Sequence, residues 1–186
     1  MFRIVLVCTG NRCRSPVAEA CLRSYARGLP LEVGSAGLLD LGTAPPLAEV
    51  LEAGRALGLD LSSHRARPLS AVDLSGADLV LGLERNHVSV AVVEGGVPYD
   101  RAFTLIEIVR LLERVTPPES DDPVHRARLA VALANHARKS TRAFAGGLDL
   151  PDPFGGRKSA FSDMAERVSD LTRRLLDGLF GIGSLT

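Results

Sequence analysis

Cys8-Thr9-Gly10-Asn11-Arg12-Cys13-Arg14-Ser15 brings two thiols, two guanidinium groups, an amide and two hydroxyls into one short stretch. A cysteine becomes a strong nucleophile when its sulfur ionises, and that happens most readily at a helix N-terminus beside cations. Arginine offers a fork of N–H donors that matches two oxygens of a phosphate. Glycine and asparagine take left-handed backbone angles most easily, and such angles turn successive N–H groups inward around an anion. The stretch therefore reads as an oxyanion cradle made by Thr9, Gly10, Asn11, Arg12, Cys13 and Ser15. Cys8 is the nucleophile at its base and Arg14 the clamp, with the Ser15 hydroxyl placed to donate to the sulfur. A lone cysteine in a tight turn is ordinarily a small buried hydrophobe. The Gly, Asn, Arg, Ser and Pro around this one weigh against that. No G-x-x-x-x-G-K-[ST] occurs, so the loop is not a nucleotide P-loop.

A cradle of this kind needs a strand to enter by and a helix to leave by. Residues 4–7 form an apolar run ended by turn residues, the pattern of a strand buried on both faces. Ser15 suits a helix N-cap and Pro16 the first helical position, and Gly28 is a plausible stop. Further strands are predicted at 31–36, 77–83 and 101–104. Helices are predicted at 47–57, 105–115, 124–144 and 161–179. Residues 116–123, with three prolines and three acids, read as a loop. Leu150-Pro151-Asp152-Pro153-Phe154-Gly155-Gly156 can be neither helix nor central strand and reads as an ordered loop. Strands alternating with helices predict an α/β fold. The expectation is a single domain over 1–186 with a three-layer, doubly wound sheet. About four parallel strands carry helices on both faces, with the phosphate-binding loop after the first strand. An extended helical connection is expected at about 116–148.

Composition narrows the class of function. The chain of 186 residues is 46% hydrophobic, with 22 basic and 22 acidic residues. That balance gives no general affinity for nucleic acid. No apolar run approaches the roughly 18 residues that span a membrane, and Met1-Phe2-Arg3 lacks the layout of a signal peptide. All three cysteines, Cys8, Cys13 and Cys21, fall near the start, which is not a disulfide framework. A reduced cytosolic setting is expected, without nucleic-acid partners or membrane insertion. The basic residues are arginine except Lys139 and Lys158, a bias of high-GC bacterial genomes.

Val7-Cys8-Thr9-Gly10-Asn11-Arg12-Cys13-Arg14-Ser15-Pro16 resembles the signature of the low-molecular-weight protein tyrosine phosphatases. Val17-Ala18-Glu19-Ala20, Ser35-Ala36-Gly37, Ser63-His64-Arg65-Ala66-Arg67 and Asp78-Leu79-Val80-Leu81-Gly82-Leu83-Glu84-Arg85-Asn86 resemble later family segments. Asp152-Pro153-Phe154 resembles the family's late Asp-Pro-aromatic motif. The likeness covers the chain except about 116–148, a stretch longer than the family's usual connection. It implies a phosphomonoester hydrolase acting on phosphorylated protein, phosphotyrosine first, through a phosphocysteine on Cys8. Arg14 and the loop N–H groups would hold the phosphate. Asp152 would protonate the leaving oxygen and then activate water, Phe154 would stack on the substrate ring, and Ser35 and His64 would hold Asn11 in shape. No metal and no cofactor are required. Cys13 has two readings, either a partner for an oxidised Cys8 or simply a small buried residue; Cys21 is a core residue.

The chain departs from the pattern at Arg12, where tyrosine-directed relatives carry a branched apolar residue and phosphoarginine-directed ones a threonine. Phe154 replaces a frequent tyrosine, and Leu41 stands where many relatives have an aromatic. Protein arginine phosphatase is therefore an alternative activity. Arsenate reductase with an external small thiol is another, since no cysteine follows Cys21 to relay a disulfide. A third reading, a phosphoprotein-binding module, would not need both Cys8 and Asp152. Residues 124–148 read either as a basic wall or lid near the pocket, with Arg138 and Lys139 drawing in acidic phosphopeptides, or as a solvated face packed by Val124, Ala127, Val131 and Ala134.

Overall fold

In the computed structural model, residues 1–117, 119–140 and 147–183 are described. Strand β1 (Phe2–Cys8) is the spine of the sheet. It pairs in parallel with β2 (Leu31–Gly37) on one side and with β3 (Leu79–Gly82) on the other. Strand β4 (Ala102–Thr104) then pairs in parallel with β3. The order is β2-β1-β3-β4, so the chain reverses its direction of winding at the β1/β3 boundary. In sheets of this kind the crevice outside the carboxyl ends of the strands at such a reversal is where ligands sit. The loop after β1 opens there.

Alternation along β1 divides the interior. Phe2, Ile4, Leu6 and Cys8 face the larger core with Leu79, Leu81 and Phe103. That core is covered by α1 (Arg14–Tyr25), α4 (Leu105–Leu112), α5 (Pro123–Ser140) and α6 (Lys158–Phe180), and reached by α2 (Ala48–Ala56). Val5, Val7 and Val80 face the opposite way, onto a smaller cluster around Ala91 of α3 (Arg85–Val93). Helices thus lie on both faces of the predicted four-stranded parallel sheet, in one α/β domain.

Several boundaries moved, for local reasons. Helix α1 starts at Arg14 with Cys13 as N-cap and no side-chain cap. Ser15 is not the cap, because its hydroxyl is engaged with Cys8 and Asn11. Of the two loop residues expected at positive φ, only Asn11 takes it, at 50°. Helix α3 was not anticipated: its Val88, Val90, Val92 and Val93 are poor helix formers. A reciprocal cap between Glu84 and His87 starts it instead. Helix α4 ends at Leu112, earlier than its apolar pattern suggests. The predicted 124–144 helix begins at Pro123 and is described to Ser140; residues 141–146 lie outside the described residues.

Helix α5 resolves the two readings of the long connection over its described part. Ala127, Val131 and Ala134 are buried in the main core, and Val124 packs against it. Arg138 turns inward: Nε and Nη2 each donate to Glu107 at 2.9 Å. Its guanidinium stacks on Phe103, 3.7 Å from the ring centroid, and on Tyr99 at 4.5 Å. The expectation of Arg138 as a free basic group beside the substrate is therefore corrected. Among the described residues, no helix is long and apolar enough to cross a membrane.

Candidate active site

The loop after β1 is shaped by Asn11, which is fully buried. Its amide nitrogen donates to Ser15 Oγ at 2.9 Å and to Ser35 Oγ at 2.8 Å. Its side-chain oxygen accepts from Arg67 N at 3.0 Å. His64 Nε2 lies 2.8 Å from the Asn11 carbonyl oxygen, so the ring nitrogen donates. The Ser35 hydroxyl in turn donates to Glu19, which is 7% exposed and also paired with Arg23 at 2.6 Å. Burial pushes the His64 pKa below its ordinary value, against the opposing pull of Asn11 and Glu19. Gly37 at the end of β2 is needed beneath this loop. A Cβ there would sit 2.9 Å from Asn11 N and from Gly10 C, closer than side chains come.

At the base of the loop, Cys8 Sγ and Ser15 Oγ are 3.0 Å apart. Ser15 Oγ already accepts from Asn11, so its own hydrogen is available to the sulfur, a donor that suits a thiolate. Arg14 is 1% exposed. Nη1 donates to Leu150 O at 2.9 Å and is paired with Glu84. Nη2 donates to Thr9 Oγ1 at 3.1 Å and to Asp152 Oδ2 at 2.6 Å. Arg14 Nε is buried without a hydrogen-bond partner among the described residues. A buried donor left over in this way marks a place where a polar group can be received.

The loop bearing Asp152 is tied to the end of β3. Leu150 N donates to Leu83 O at 2.8 Å, and Asp149 receives Arg85 through both backbone and guanidinium. Asp152 Oδ1 accepts from Phe154 N at 3.1 Å, which fixes the carboxylate over the pocket with Pro153 stiffening the turn. A cavity of about 320 Å³ opens between these parts, lined by Cys8, Thr9, Gly10, Arg12, Cys13, Arg14, Asp152 and Phe154. Leu39, Leu41 and Leu47 complete its apolar wall. Phe154 is 73% exposed and stands at the mouth.

The residues of the predicted catalytic, cradle and supporting sets are thus accounted for in space, while the Lys139 side chain lies outside the described residues. Cys8, Thr9, Gly10, Arg12, Cys13, Arg14, Asp152 and Phe154 share the cavity, while Asn11, Ser15, Ser35 and His64 lie behind it as support. Arg12 Nε donates to Pro45 O at 2.7 Å, which holds the side chain along the cavity wall. Cys13 is 7% exposed, and burial, then the charge of Asp152, pushes its thiol far up, so it stays protonated at neutral pH. Cys21, in the core, is pushed up to about 11 by burial. No group of three or more His, Cys, Asp or Glu suited to a metal occurs among the described residues. Sequence reasoning missed Glu84 and His87, which reach Arg14 and Thr9 from the start of α3. Their signal was positional: both follow the carboxyl end of the strand at the topological reversal.

Comparison with known proteins agrees with this geometry. The profile of the low molecular weight phosphotyrosine protein phosphatase family matches residues 3–128. A low molecular weight protein-tyrosine-phosphatase of Streptomyces coelicolor is 31% identical over 183 residues, spanning 94% of this chain and 92% of that protein. A protein-arginine-phosphatase of Bacillus subtilis is 29% identical over 174 residues, spanning 92% and 93%. The crystal structure of a low molecular weight protein tyrosine phosphatase from T. tengcongensis superimposes with a TM-score of 0.71 at 28% identity, covering 95% of this chain and 99% of that one.

Proposed function

This chain belongs to the low molecular weight phosphotyrosine protein phosphatase family and is a phosphatase, and from that premise we propose that Cys8, Arg14 and Asp152 carry its reaction. The Cys8 sulfur attacks phosphorus in line with the ester oxygen. The S–P bond forms as the P–O bond to the leaving group breaks. Arg14 and the N–H groups of the loop hold the three equatorial oxygens, over which charge spreads in the transition state. Asp152 gives its proton to the departing oxygen. In the second half it takes a proton from water, which displaces sulfur from phosphorus, releases phosphate and restores Cys8. Thr9, Gly10, Asn11, Arg12, Cys13 and Ser15 contribute the cradle, and Ser35 and His64 keep its shape.

One observation carries this reading. The buried Nε of Arg14, without a partner among the described residues, lies in the same short loop as a cysteine whose sulfur faces a hydroxyl donor at 3.0 Å. An oxyanion would give that nitrogen its partner. The substrate proposed is phosphotyrosine on a protein. Leu39, Leu41, Leu47 and Phe154 offer apolar wall for a phenyl ring, and Arg12 on that wall disfavours the positive guanidinium half of a phosphoarginine while favouring acidic neighbours. The Bacillus subtilis relative's name favours phosphoarginine as the second reading. The three cysteines are all free, which fits a reducing cytosolic setting.

The test compares phosphotyrosine, phosphoarginine and phosphoserine peptides, with p-nitrophenyl phosphate as reference. Phosphotyrosine is expected to give the highest kcat/KM, Cys8→Ser to abolish turnover, and Asp152→Asn to lower kcat by about a hundredfold or more. Faster phosphoarginine hydrolysis would replace the tyrosine assignment. Turnover by Cys8→Ser at the wild-type rate would remove Cys8 as nucleophile.

A further inference from the structure

His87 is a buried imidazole that none of the steps above uses. It is 1% exposed, and its two ring nitrogens have distinct partners. Glu84 N donates to Nδ1 at 2.9 Å, so Nδ1 carries no proton. The neutral ring then holds its proton on Nε2, which lies 3.1 Å from Thr9 Oγ1 and donates to it. Burial and the neighbouring Arg14 charge favour this neutral form. Arg14 Nη2 donates to the same hydroxyl oxygen at 3.1 Å. A hydroxyl oxygen has two lone pairs, and both are now occupied. The Thr9 hydrogen must point elsewhere, and Thr9 lines the cavity with Cys8 and Arg14. Asp152, the other acceptor there, already receives Phe154 N on Oδ1 and Arg14 on Oδ2.

We propose that His87 is a positioning residue that fixes the Thr9 hydroxyl as a hydrogen-bond donor to a phosphoryl oxygen of the substrate. The donor is strengthened by its setting, since a hydroxyl that accepts from a guanidinium and an imidazole gives up its hydrogen more readily. The fixed tautomer also prevents the hydroxyl from turning its hydrogen toward His87. Thr9 thus adds a side-chain donor to the cradle of backbone N–H groups. This inference rests on the reading of the cavity as the phosphoryl site.

The test is a double-mutant cycle read on two quantities: kcat/KM for p-nitrophenyl phosphate and the inhibition constant of orthovanadate, an oxyanion that mimics the five-coordinate transition state. Thr9→Val is expected to weaken both by about tenfold or more, as loss of an oxyanion donor does, and Thr9→Ser to retain them. His87→Asn keeps an acceptor for Glu84 N but loses the donor to Thr9, and about a fivefold loss is expected, within the range of one hydrogen bond. His87→Gln, whose amide nitrogen reaches about as far as Nε2, is expected to recover most of it. In the Thr9→Val background, His87→Asn should cost nothing further. The proposal is overturned if His87→Asn costs as much there as in the wild type, or if Thr9→Val leaves vanadate inhibition unchanged. Should His87→Asn not fold, unchanged vanadate inhibition in Thr9→Val still overturns the proposal. A wild type that binds vanadate without turnover would overturn the phosphatase reading instead, and is seen separately.

Discussion

Among the described residues, Arg14 and Arg138 each meet carboxylates with little of the side chain left to solvent, 1% and 11%, and they end in opposite ways. Arg138 is closed. Nε and Nη2 reach Glu107, Nη2 also reaches Ala102 O at 2.7 Å, Nη1 reaches Tyr99 O at 3.1 Å, and the guanidinium lies over the rings of Phe103 and Tyr99. Its carboxylate partner is 15% exposed. Arg14 is the more deeply buried of the two, yet it is left open. Its Nε has no partner among the described residues, and its carboxylates, Glu84 and Asp152, are 31% and 36% exposed. The same pair of residue types therefore builds a fastener in one place and a receptor in the other. The difference lies in whether the donors are exhausted by the protein.

The comparison predicts that function and stability separate between the two sites. Arg14→Lys keeps the charge but loses the fork, and kcat/KM for p-nitrophenyl phosphate should fall by about a hundredfold to a thousandfold. Glu84 and Asp152 can turn to water when the fork is gone, so the loss of folding stability should be smaller than that of any Arg138 truncation. An Arg14→Lys enzyme with near wild-type kcat/KM would break the comparison.

Arg138→Ala should act in the reverse sense. It strands Glu107 beneath α5 and strips the rings of Tyr99 and Phe103 of their cation. Breaking a fully buried pair from one side costs about 3–5 kcal/mol; this pair is partly exposed and Glu107 keeps Thr104 N, so a smaller loss is expected, to be read as a lower urea midpoint. Because the described residues of α5 do not line the cavity, kcat/KM should stay within about twofold. A large fall in kcat/KM without a fall in stability would bring back the reading of this helix as part of the substrate site.

The two arginines also mark how far the sequence was legible. Arg14 sits in a stretch where nucleophile, glycine, asparagine and helix start are neighbours in the chain, so the chemistry is local and spacing reveals it. The four parallel strands, though not their order, were legible for a similar reason, since each strand is a short apolar run between helical patterns. Arg138 stayed between two readings because its partners come from β4 and α4, far away in sequence, and only packing decides which face of α5 turns inward. Glu84 and His87 escaped because helix α3 itself did. Its valines argue against a helix, and the reciprocal cap that overrides them needs His87 to act as a side chain where Glu or Gln is usual.

His87 gives the smallest and most specific contrast, because the Arg14 network includes an imidazole and the described Arg138 network does not. Burial, and next the Arg14 guanidinium, push His87 from 6.5 down to about 4. The unfolded chain takes up the proton near pH 6.5 and the folded one only near 4. Between those values the unfolded state binds more protons, so stability falls as pH falls and levels off once the folded ring also charges. From pH 7.5 to pH 5 this group alone should account for about 2 kcal/mol. His64, also held down by burial, contributes in the same direction in wild type and variant alike, so the difference between them is the diagnostic quantity. His87→Asn should therefore lose less stability than the wild type over that range, whereas Arg138→Ala should lose as much as the wild type from a lower starting point. Urea midpoints at pH 7.5 and pH 5 for the three proteins measure this. An equal drop in wild type and His87→Asn would mean that His87 is not the buried neutral ring on which the Thr9 hydrogen depends.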